Sequence, residues 1–272
     1  MMAGRQRGIP MDRRFDNDCV DEIIAQGADV ALATCSADWL VATARHKYSY
    51  HFRSLGLPII QYPQDIVMMQ ELIWSTRPDV IIETGIARGG SVVMSAAMLT
   101  LLDCCDAAAA GILFDLSRPA RRVIGIDIDI RAHNRAAIEA HPLAARIDLV
   151  QGSSIDPDIV RQVHDKLAGA GDGMKVLVCL DSHHVHDHVL AELAAYAPLV
   201  TPGSYCVVFD TVIEDMPAGS FPDRPWDRGN NPKTAVREFL RCHPEFEIDE
   251  AIGHKLLVTV APDGYLRRKR ED

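Results

Sequence analysis

The amino-acid sequence predicts an α/β fold with a mostly parallel β-sheet, helices on both faces and a C-terminal antiparallel hairpin. Three observations lead to this fold class. Short apolar runs that end in an acidic residue alternate with segments of helical length, which is typical of β/α units. A glycine-rich turn follows the first of these runs. Two strand-like segments near the end of the chain are close enough to pair with each other.

The central strands are predicted from the apolar runs, because a buried parallel strand is apolar along its whole length. They are placed at Val80–Glu83, Val123–Asp127, Asp148–Gln151, Val176–Asp181 and Tyr205–Asp210. Helices are placed at Ser91–Leu102, Ala132–Ala140, Pro157–Ala168, His186–Tyr196 and Thr234–Arg241. An Ala-rich insertion, Asp103–Ala120, is expected before the second strand, and Phe246–Asp249 and Leu256–Ala261 are expected to form the closing hairpin.

The chain is expected to divide into an N-terminal helical extension, residues 1–62, and an α/β domain, residues 63–272. The first 20 residues are polar, so we expect poor order there. Helical or irregular segments follow at Asp21–Ala33 and Trp39–Phe52. The α/β domain is predicted to begin with a helix over Ile66–Arg77, with Asp65 as its N-cap and Pro78 at its end.

Composition limits the classes of function. The formal net charge is −10, and the only basic run is Arg267–Arg270, which argues against nucleic acid or an anionic membrane as a partner. The most apolar stretch, Val92–Leu102, is too short to span a bilayer. Seven cysteines without a CxxC pair fit a reducing cytoplasm.

The glycine-rich turn predicts the first part of a ligand site. Val80–Glu83 runs into Gly85, Gly89 and Gly90, and Ser91 then begins a helix whose free N–H groups suit an anion. The next strand ends in Asp127, and this order of strand, turn, helix, strand and acid is typical of sites for adenosine-containing cofactors. The GxxxGG spacing differs from the dinucleotide GxGxxG and favours S-adenosylmethionine over NAD.

Each predicted cofactor contact follows from its chemistry. Asp127 can accept hydrogen bonds from both ribose hydroxyls, with Asp129 as a substitute or a cap for the following helix. Glu83 is expected to meet the methionine ammonium group, and the glycines to give the backbone access to the ligand. Ser153 and Ser154 are expected either to flank the adenine edge or to form an ordinary turn in which Ser154 caps a helix.

A histidine cluster follows the fourth central strand. His183, His184, His186 and His188 come directly after Asp181, which suits either a metal site or a general base. We place His186 and His188 on a helix surface, and His183 and His184 in the loop that faces the site. In methyl transfer to an alcohol a base removes the hydroxyl proton, and a cation stabilises the developing alkoxide. Oxygen ligands such as those of Asp181 and Asp210 suit Mg²⁺.

These residues resemble the cephalosporin-hydroxylase-like family of class I S-adenosylmethionine-dependent O-methyltransferases, relatives of the macrolide-sugar O-methyltransferases. The resemblance runs from about Tyr48 to Arg267. Its motifs are Gly56–Pro63, Gln70–Leu72, Ile82–Ser91, Leu180–Ser182 with His184, Tyr196–Leu199, Phe209–Pro217 and Gly229–Lys233. The resemblance implies a Rossmann-like class I methyltransferase fold, S-adenosylmethionine, often Mg²⁺, and usually a homo-oligomer.

Carried over by position, Asp181 is the first metal ligand, His184 the catalytic base and Asp210 the last metal ligand. Metal-dependent members of this type have an acid pair at the end of the fifth strand, where this chain has Phe209 and Asp210. Three outcomes are open: fewer protein ligands, Glu214 and Asp215 reaching back to the metal, or a metal-free site in which His184 works alone.

The sequence therefore predicts an S-adenosylmethionine-dependent O-methyltransferase that methylates a hydroxyl of a small glycosylated or hydroxylated natural product in antibiotic or related biosynthesis. Tyr62, His183 and Glu214 are the predicted acceptor contacts. Tyr48, Tyr50 and Trp226 are further aromatic candidates for the same pocket. The alternatives are a nicotinamide-dependent oxidoreductase and a noncatalytic accessory protein that keeps the fold.

Overall fold

The structure is a computed structural model that describes residues 12–168 and 173–270. Its helices are α1 Arg13–Gly27, α2 Val30–Ala44, α3 Pro63–Thr76, α4 Gly90–Ala110, α5 Ala132–Glu139, α6 Pro157–Leu167, α7 His186–Tyr196, α8 Pro232–Cys242 and α9 Glu250–Leu256. Its strands are β1 Phe52–Ser54, β2 Leu57–Ile59, β3 Val80–Thr84, β4 Arg122–Asp127, β5 Ile147–Gln151, β6 Val176–Leu180, β7 Tyr205–Val208, β8 Phe246–Ile248 and β9 Tyr265–Arg268.

The main sheet confirms the predicted fold class. Its strand order is β5-β4-β3-β6-β7-β9-β8, with β3 to β7 parallel and β9 antiparallel to both β7 and β8. One apolar cluster packs α3, α4, α5 and α9 on one face, and a second packs α6, α7 and α8 on the other. Helices therefore cover both faces, and the carboxyl ends of five parallel strands meet along one edge.

The predicted closing hairpin is wrong in its second strand. β8 pairs with β9, Tyr265–Arg268, and the chain between them forms α9 rather than a direct turn. Thr259 and Val260 of the predicted strand instead donate hydrogen bonds to Asp65 on α3. Gly264 allows β9 to approach β7, because a Cβ there would lie 2.1 Å from the carbonyl oxygen of Val208. That close approach requires glycine.

Asp65 is not the N-cap of α3, because the helix begins at Pro63 after Tyr62. The Asp65 side chain is fully buried and accepts hydrogen bonds from the Val260 amide at 3.0 Å, the Tyr265 hydroxyl at 2.8 Å and the Thr259 hydroxyl. Burial raises the pKa of Asp65 to about 6. The carboxylate therefore ties α3 to the C-terminal segment instead of starting the helix.

Two other predicted segments also differ. Residues 13–20, expected to be poorly ordered, lie in α1, whose N-cap is Asp12; residues 1–11 lie outside the described residues. The predicted insertion Asp103–Ala120 is helical as far as Ala110, because its alanines extend α4 to Gly111. Helix α4 is, among the described residues, the one long and apolar enough to cross a membrane, and its buried face packs against the sheet.

Candidate active site

A cavity of about 910 Å³ lies at the carboxyl ends of the parallel strands. Its floor is formed by Asp127, the last residue of β4, and by residues that follow the other four parallel strands. These are Gly85 after β3, Ser153 and Ser154 after β5, Asp181 after β6 and Asp210 after β7. Its other walls come from α2 and the turn after it, and from the segment of residues 217–231 before α8. This volume lies in the upper part of the range of small-molecule sites, about 300–1,000 Å³.

Asp181, His184 and Asp210 come together on this floor. One ligand atom from each side chain lies within 4.8 Å of the other two, and His184 Nε2 is 3.1 Å from Asp210 Oδ2. The strands place them there, since the Asp181 amide donates to the Thr84 carbonyl and the Phe209 amide to the Leu180 carbonyl, each at 2.9 Å. The predicted catalytic and metal residues therefore form one cluster.

The electrostatics of this cluster suit a cation. Desolvation, together with the nearby carboxylates of Asp210 and Glu83, raises the pKa of Asp181 well above its ordinary value. Gln61 donates to Asp181 Oδ2 at 3.0 Å, which leaves the other carboxylate oxygen available. Two carboxylates held this close repel each other unless a proton or a cation lies between them.

Two local interactions rule out one of the three outcomes at Phe209, the one in which Glu214 and Asp215 reach back to the metal. The Phe209 side chain is buried in the apolar cluster under α3 and α4. Glu214 accepts from the Gly229 amide at 2.7 Å and from Asn231, while Asp215 pairs with Lys233 at 2.7 Å. Neither acid reaches back to the cluster, and Glu214, a predicted acceptor contact, does not line the cavity. Any metal here is held by fewer protein carboxylates.

Asp127 presents two oriented acceptor oxygens to the cavity. Its Oδ2 accepts from the Ala87 amide and its Oδ1 from the Asp129 amide, both at 3.0 Å. Asp129 is not the cap of α5, whose N-cap position is Arg131, and its side chain lies 3.5 Å from that arginine. The backbone contacts fix the orientation of the Asp127 carboxylate and leave lone pairs for a ligand.

The other predicted cofactor residues divide into two groups. Gly85 lines the cavity, and its positive φ of 81° brings the backbone against Asp181, where a Cβ would lie 2.0 Å from the carbonyl oxygen. Glu83, Gly89, Gly90 and Ser91 lie outside the cavity lining. Ser91 Oγ donates to Glu83, and Gly90 packs against the Pro58 carbonyl. These four residues support the turn beneath the site.

Burial raises the pKa of Glu83 to about 7, with the charge of Asp127 adding to the effect and Ser91 opposing it. The folded protein then keeps this proton to higher pH than the unfolded chain, whose glutamates titrate near 4.3. Stability is expected to fall as pH rises between these two values, by about 3 kcal/mol from Glu83.

We expect Glu83→Gln to remove this contribution to the pH dependence of the unfolding free energy, because glutamine does not titrate. Glutamine can still accept the Ser91 hydrogen bond, so the local contact is kept. Urea unfolding of the ligand-free protein at pH 5 and pH 7.5 measures the effect. Glu22→Gln, at an exposed position of α1, is the control. Identical pH slopes for wild type and Glu83→Gln would contradict the assignment.

His188 is not on the helix surface, contrary to the prediction. It lines the cavity, and its Nε2 is 3.1 Å from Ser154 Oγ, 3.2 Å from Ser182 Oγ and 3.6 Å from Glu192 Oε1. Ser154 therefore contacts α7 instead of capping α6, whose cap is Asp156. His188 and Glu192 are four residues apart on one helix, and this spacing could have predicted the contact between their side chains.

His186 is also partly buried, because its ring contacts Thr234 at 2.8 Å and Glu238 at 3.3 Å on α8. It does not line the cavity, whereas His183 does. Aromatic side chains form much of the remaining wall. They are Tyr48, Tyr50, Tyr62, Phe221 and Trp226. The Trp226 ring meets the His184 ring edge to face at 4.7 Å, so the wall reaches the predicted base.

The chain is similar to proteins of known activity. Rhamnosyl O-methyltransferases are similar in sequence: that of Mycobacterium leprae is 28% identical over 218 residues, 79% of this chain and 82% of the relative. That of Mycobacterium tuberculosis H37Rv is 29% identical over 236 residues, 84% and 85%. Among solved structures, the CmcI-N160 apo-structure has a TM-score of 0.51 and 19% identity over 82% of this chain and 78% of that chain, which supports the fold.

The family model described as Rhamnosyl O-methyltransferase/CmcI matches residues 46–269. This range contains the main sheet and the whole floor of the cavity. It also contains the cavity walls, apart from Leu40, Val41, Ala44 and Arg45 in and after α2. The chain therefore belongs to the rhamnosyl O-methyltransferase/CmcI family, a family of S-adenosylmethionine-dependent O-methyltransferases.

Proposed function

We propose that this O-methyltransferase methylates a hydroxyl of a small natural product or of its sugar, with His184 as general base and Mg²⁺ at Asp181 and Asp210. The observation that carries the proposal is the convergence of Asp181, His184 and Asp210 with Asp127 in one cavity. A sugar acceptor is favoured by the similarity to rhamnosyl O-methyltransferases over most of the chain.

The floor of the cavity fits S-adenosylmethionine. Asp127 presents two fixed carboxylate oxygens to the ribose hydroxyls, and Ser153 and Ser154 lie one strand away, at the end of β5, for the adenine edge. Gly85 lies between Asp127 and Asp181, where its missing side chain leaves room for the methionine part of the donor. From this order we expect the reacting end of the donor to lie beside the Asp181, His184 and Asp210 cluster.

The chemistry assigns a separate task to each protein group. With its Nε2–H directed at Asp210 Oδ2, 3.1 Å away, His184 accepts the proton of the acceptor hydroxyl at Nδ1, and Asp210 stabilises the imidazolium that forms. When bound, the donor supplies a methyl group activated by its sulfonium, and Mg²⁺ supplies positive charge beside the developing alkoxide. The Trp226 ring packs against His184 and shields this side of the imidazole from water.

The residues present fit Mg²⁺ at this place. Carboxylate oxygens are the protein ligands that Mg²⁺ prefers, and the ion commonly keeps several waters. Asp181 and Asp210 provide two such groups, so the missing acid at Phe209 leaves a site with more water ligands. The same carboxylates argue against the noncatalytic accessory protein, and the family match excludes the nicotinamide-dependent alternative.

Metal removal tests the proposal. We expect methyl transfer to rhamnosides, measured as formation of S-adenosylhomocysteine, to fall by at least tenfold in EDTA and to recover with excess Mg²⁺. The metal stabilises charge in the transition state, and each loss of about 1.4 kcal/mol there slows the reaction tenfold. Asp210→Asn should raise the Mg²⁺ concentration needed for half-maximal rate. Asp215→Asn, whose parent carboxylate faces Lys233 instead, is the matched control. Full activity in EDTA would leave His184 working without a metal.

A further inference from the structure

Three basic side chains line the acceptor side of the cavity in a chain whose formal net charge is −10. Arg45 and Lys47 lie on the turn that follows α2, and Arg224 lies in the segment of residues 217–231. The three come from two separate walls and line the same cavity.

These three cations carry no carboxylate partner within 4.0 Å among the described residues. The neighbouring basic residues of α8 differ, since Lys233 pairs with Asp215 at 2.7 Å and Arg237 with Glu214 at 3.7 Å. Asp127, Asp181 and Asp210 carry the negative charge of the cavity floor, whereas these unpaired cations make the potential positive at the walls on which they lie.

Aromatic rings hold two of the cations in place. The Arg224 guanidinium lies 5.2 Å from the centroid of the Trp226 ring, and Lys47 Nζ lies 6.0 Å from that of Tyr50. Both distances suit a cation–π contact, which orients the side chain without neutralising its charge. The charges therefore stay available to a ligand.

The position of Arg224 relates the charges to the reaction. Trp226 contacts both Arg224 and His184, with its ring centroid 4.7 Å from that of the imidazole. A group bound by Arg224 would therefore belong to the acceptor beside the base. Asp127 and the serines that suit the donor's ribose and adenine lie at the other end of the floor, beyond Asp181.

We propose that the acceptor carries an anionic group, a phosphate ester or a carboxylate attached to its sugar, which Arg224 binds together with Arg45 and Lys47. This inference rests on the proposed function, because it names the substrate class of the same site. A guanidinium matches both phosphate and carboxylate with two parallel hydrogen bonds, and a lysine ammonium adds a point charge.

Binding of matched sugars tests the proposal on the full-length protein saturated with S-adenosylhomocysteine and Mg²⁺. The probes are methyl rhamnoside, rhamnose 1-phosphate, a nucleoside diphosphate rhamnose and methyl glucuronide, titrated by calorimetry. We expect at least one anionic probe to bind at least tenfold more tightly than the neutral rhamnoside. Preference for the phosphates or for the uronic acid identifies the anion. Equal affinities for all four probes would overturn the proposal.

Variants separate this role from donor binding. Arg224→Gln should weaken the preferred anionic probe at least tenfold and leave the affinities for methyl rhamnoside and S-adenosylhomocysteine unchanged; Lys47→Gln should act in the same direction. Arg228→Gln, exposed in the same segment but outside the cavity lining, is the control. Weaker S-adenosylhomocysteine binding by Arg224→Gln would assign the cations to the donor instead. Absence of S-adenosylhomocysteine binding in wild type would refute the proposed function itself.

Discussion

Replacement of His184 by alanine is expected to lower kcat for methyl transfer by about 10²- to 10⁴-fold, the usual contribution of a positioned general base. The affinity for S-adenosylhomocysteine should stay nearly unchanged, because His184 lies on the acceptor side, between Asp210 and Trp226. Single-turnover rates, with calorimetry for the affinity, give both quantities.

Two readouts decide whether His184 is the base. His164→Ala, at an exposed position of α6 outside the cavity, controls for a general effect of losing a histidine. The Mg²⁺ concentration for half-maximal rate should not change in His184→Ala, since one nitrogen cannot ligate a metal and accept a proton at once. Recovery of the wild-type rate at high Mg²⁺ would show that His184 is a ligand, and undiminished turnover would remove it from the mechanism.

Replacement of Asp127 by alanine is expected to raise the Kd for S-adenosylhomocysteine by about 10- to 100-fold, because hydrogen bonds to a charged group contribute about 1.5–3 kcal/mol. The ribose hydroxyls lose both carboxylate oxygens, and the Ala87 amide loses its acceptor at 3.0 Å. The rate at saturating donor should change much less than the affinity, because Asp127 does not touch the reacting atoms.

Asp129→Ala is the matched control, since Asp129 is two residues away in the same loop and exposed. Its side chain contacts Arg131 and not the cavity. An Asp127→Ala variant that binds S-adenosylhomocysteine as tightly as wild type would rule out the ribose assignment. Equal losses in Asp127→Ala and Asp129→Ala would indicate a disturbed loop.

The parallel core could be predicted because its sequence pattern is local. Each central strand is a continuous apolar run, and the acid after it falls at the same sheet edge whatever the loops do. That alone places Asp127, Asp181 and Asp210 around one site. Helix α7, His186–Tyr196, has the predicted bounds.

The C-terminal region could not be predicted because its partners are distant in sequence. The apolar run Leu256–Ala261 reads as a strand, yet the buried Asp65 carboxylate binds Thr259 and Val260 and holds the segment away from the sheet. A contact across about two hundred residues leaves no periodic signal. The strand that pairs with β7 is instead Tyr265–Arg268, and Gly264 leaves room for this close approach.

The walls of the site were similarly hidden from the sequence. The sequence predicts His188 on a helix surface. In the structure it contacts Ser154 and Ser182, which follow two different strands and are distant from each other in sequence. The basic wall of Arg45, Lys47 and Arg224 becomes visible only in the structure, which brings the three to one cavity and pairs Lys233 and Arg237 with carboxylates. The cytoplasmic location and the homo-oligomeric state stay predictions from the sequence.

A crystal structure of the protein grown with S-adenosylhomocysteine and Mg²⁺ tests the central claim most directly. We expect the ribose on Asp127, the metal on Asp181 and Asp210, and the sulfur directed toward the space in front of His184. Density for the nucleoside away from Asp127, or for its sulfur on the far side of Gly85 from His184, would contradict the account.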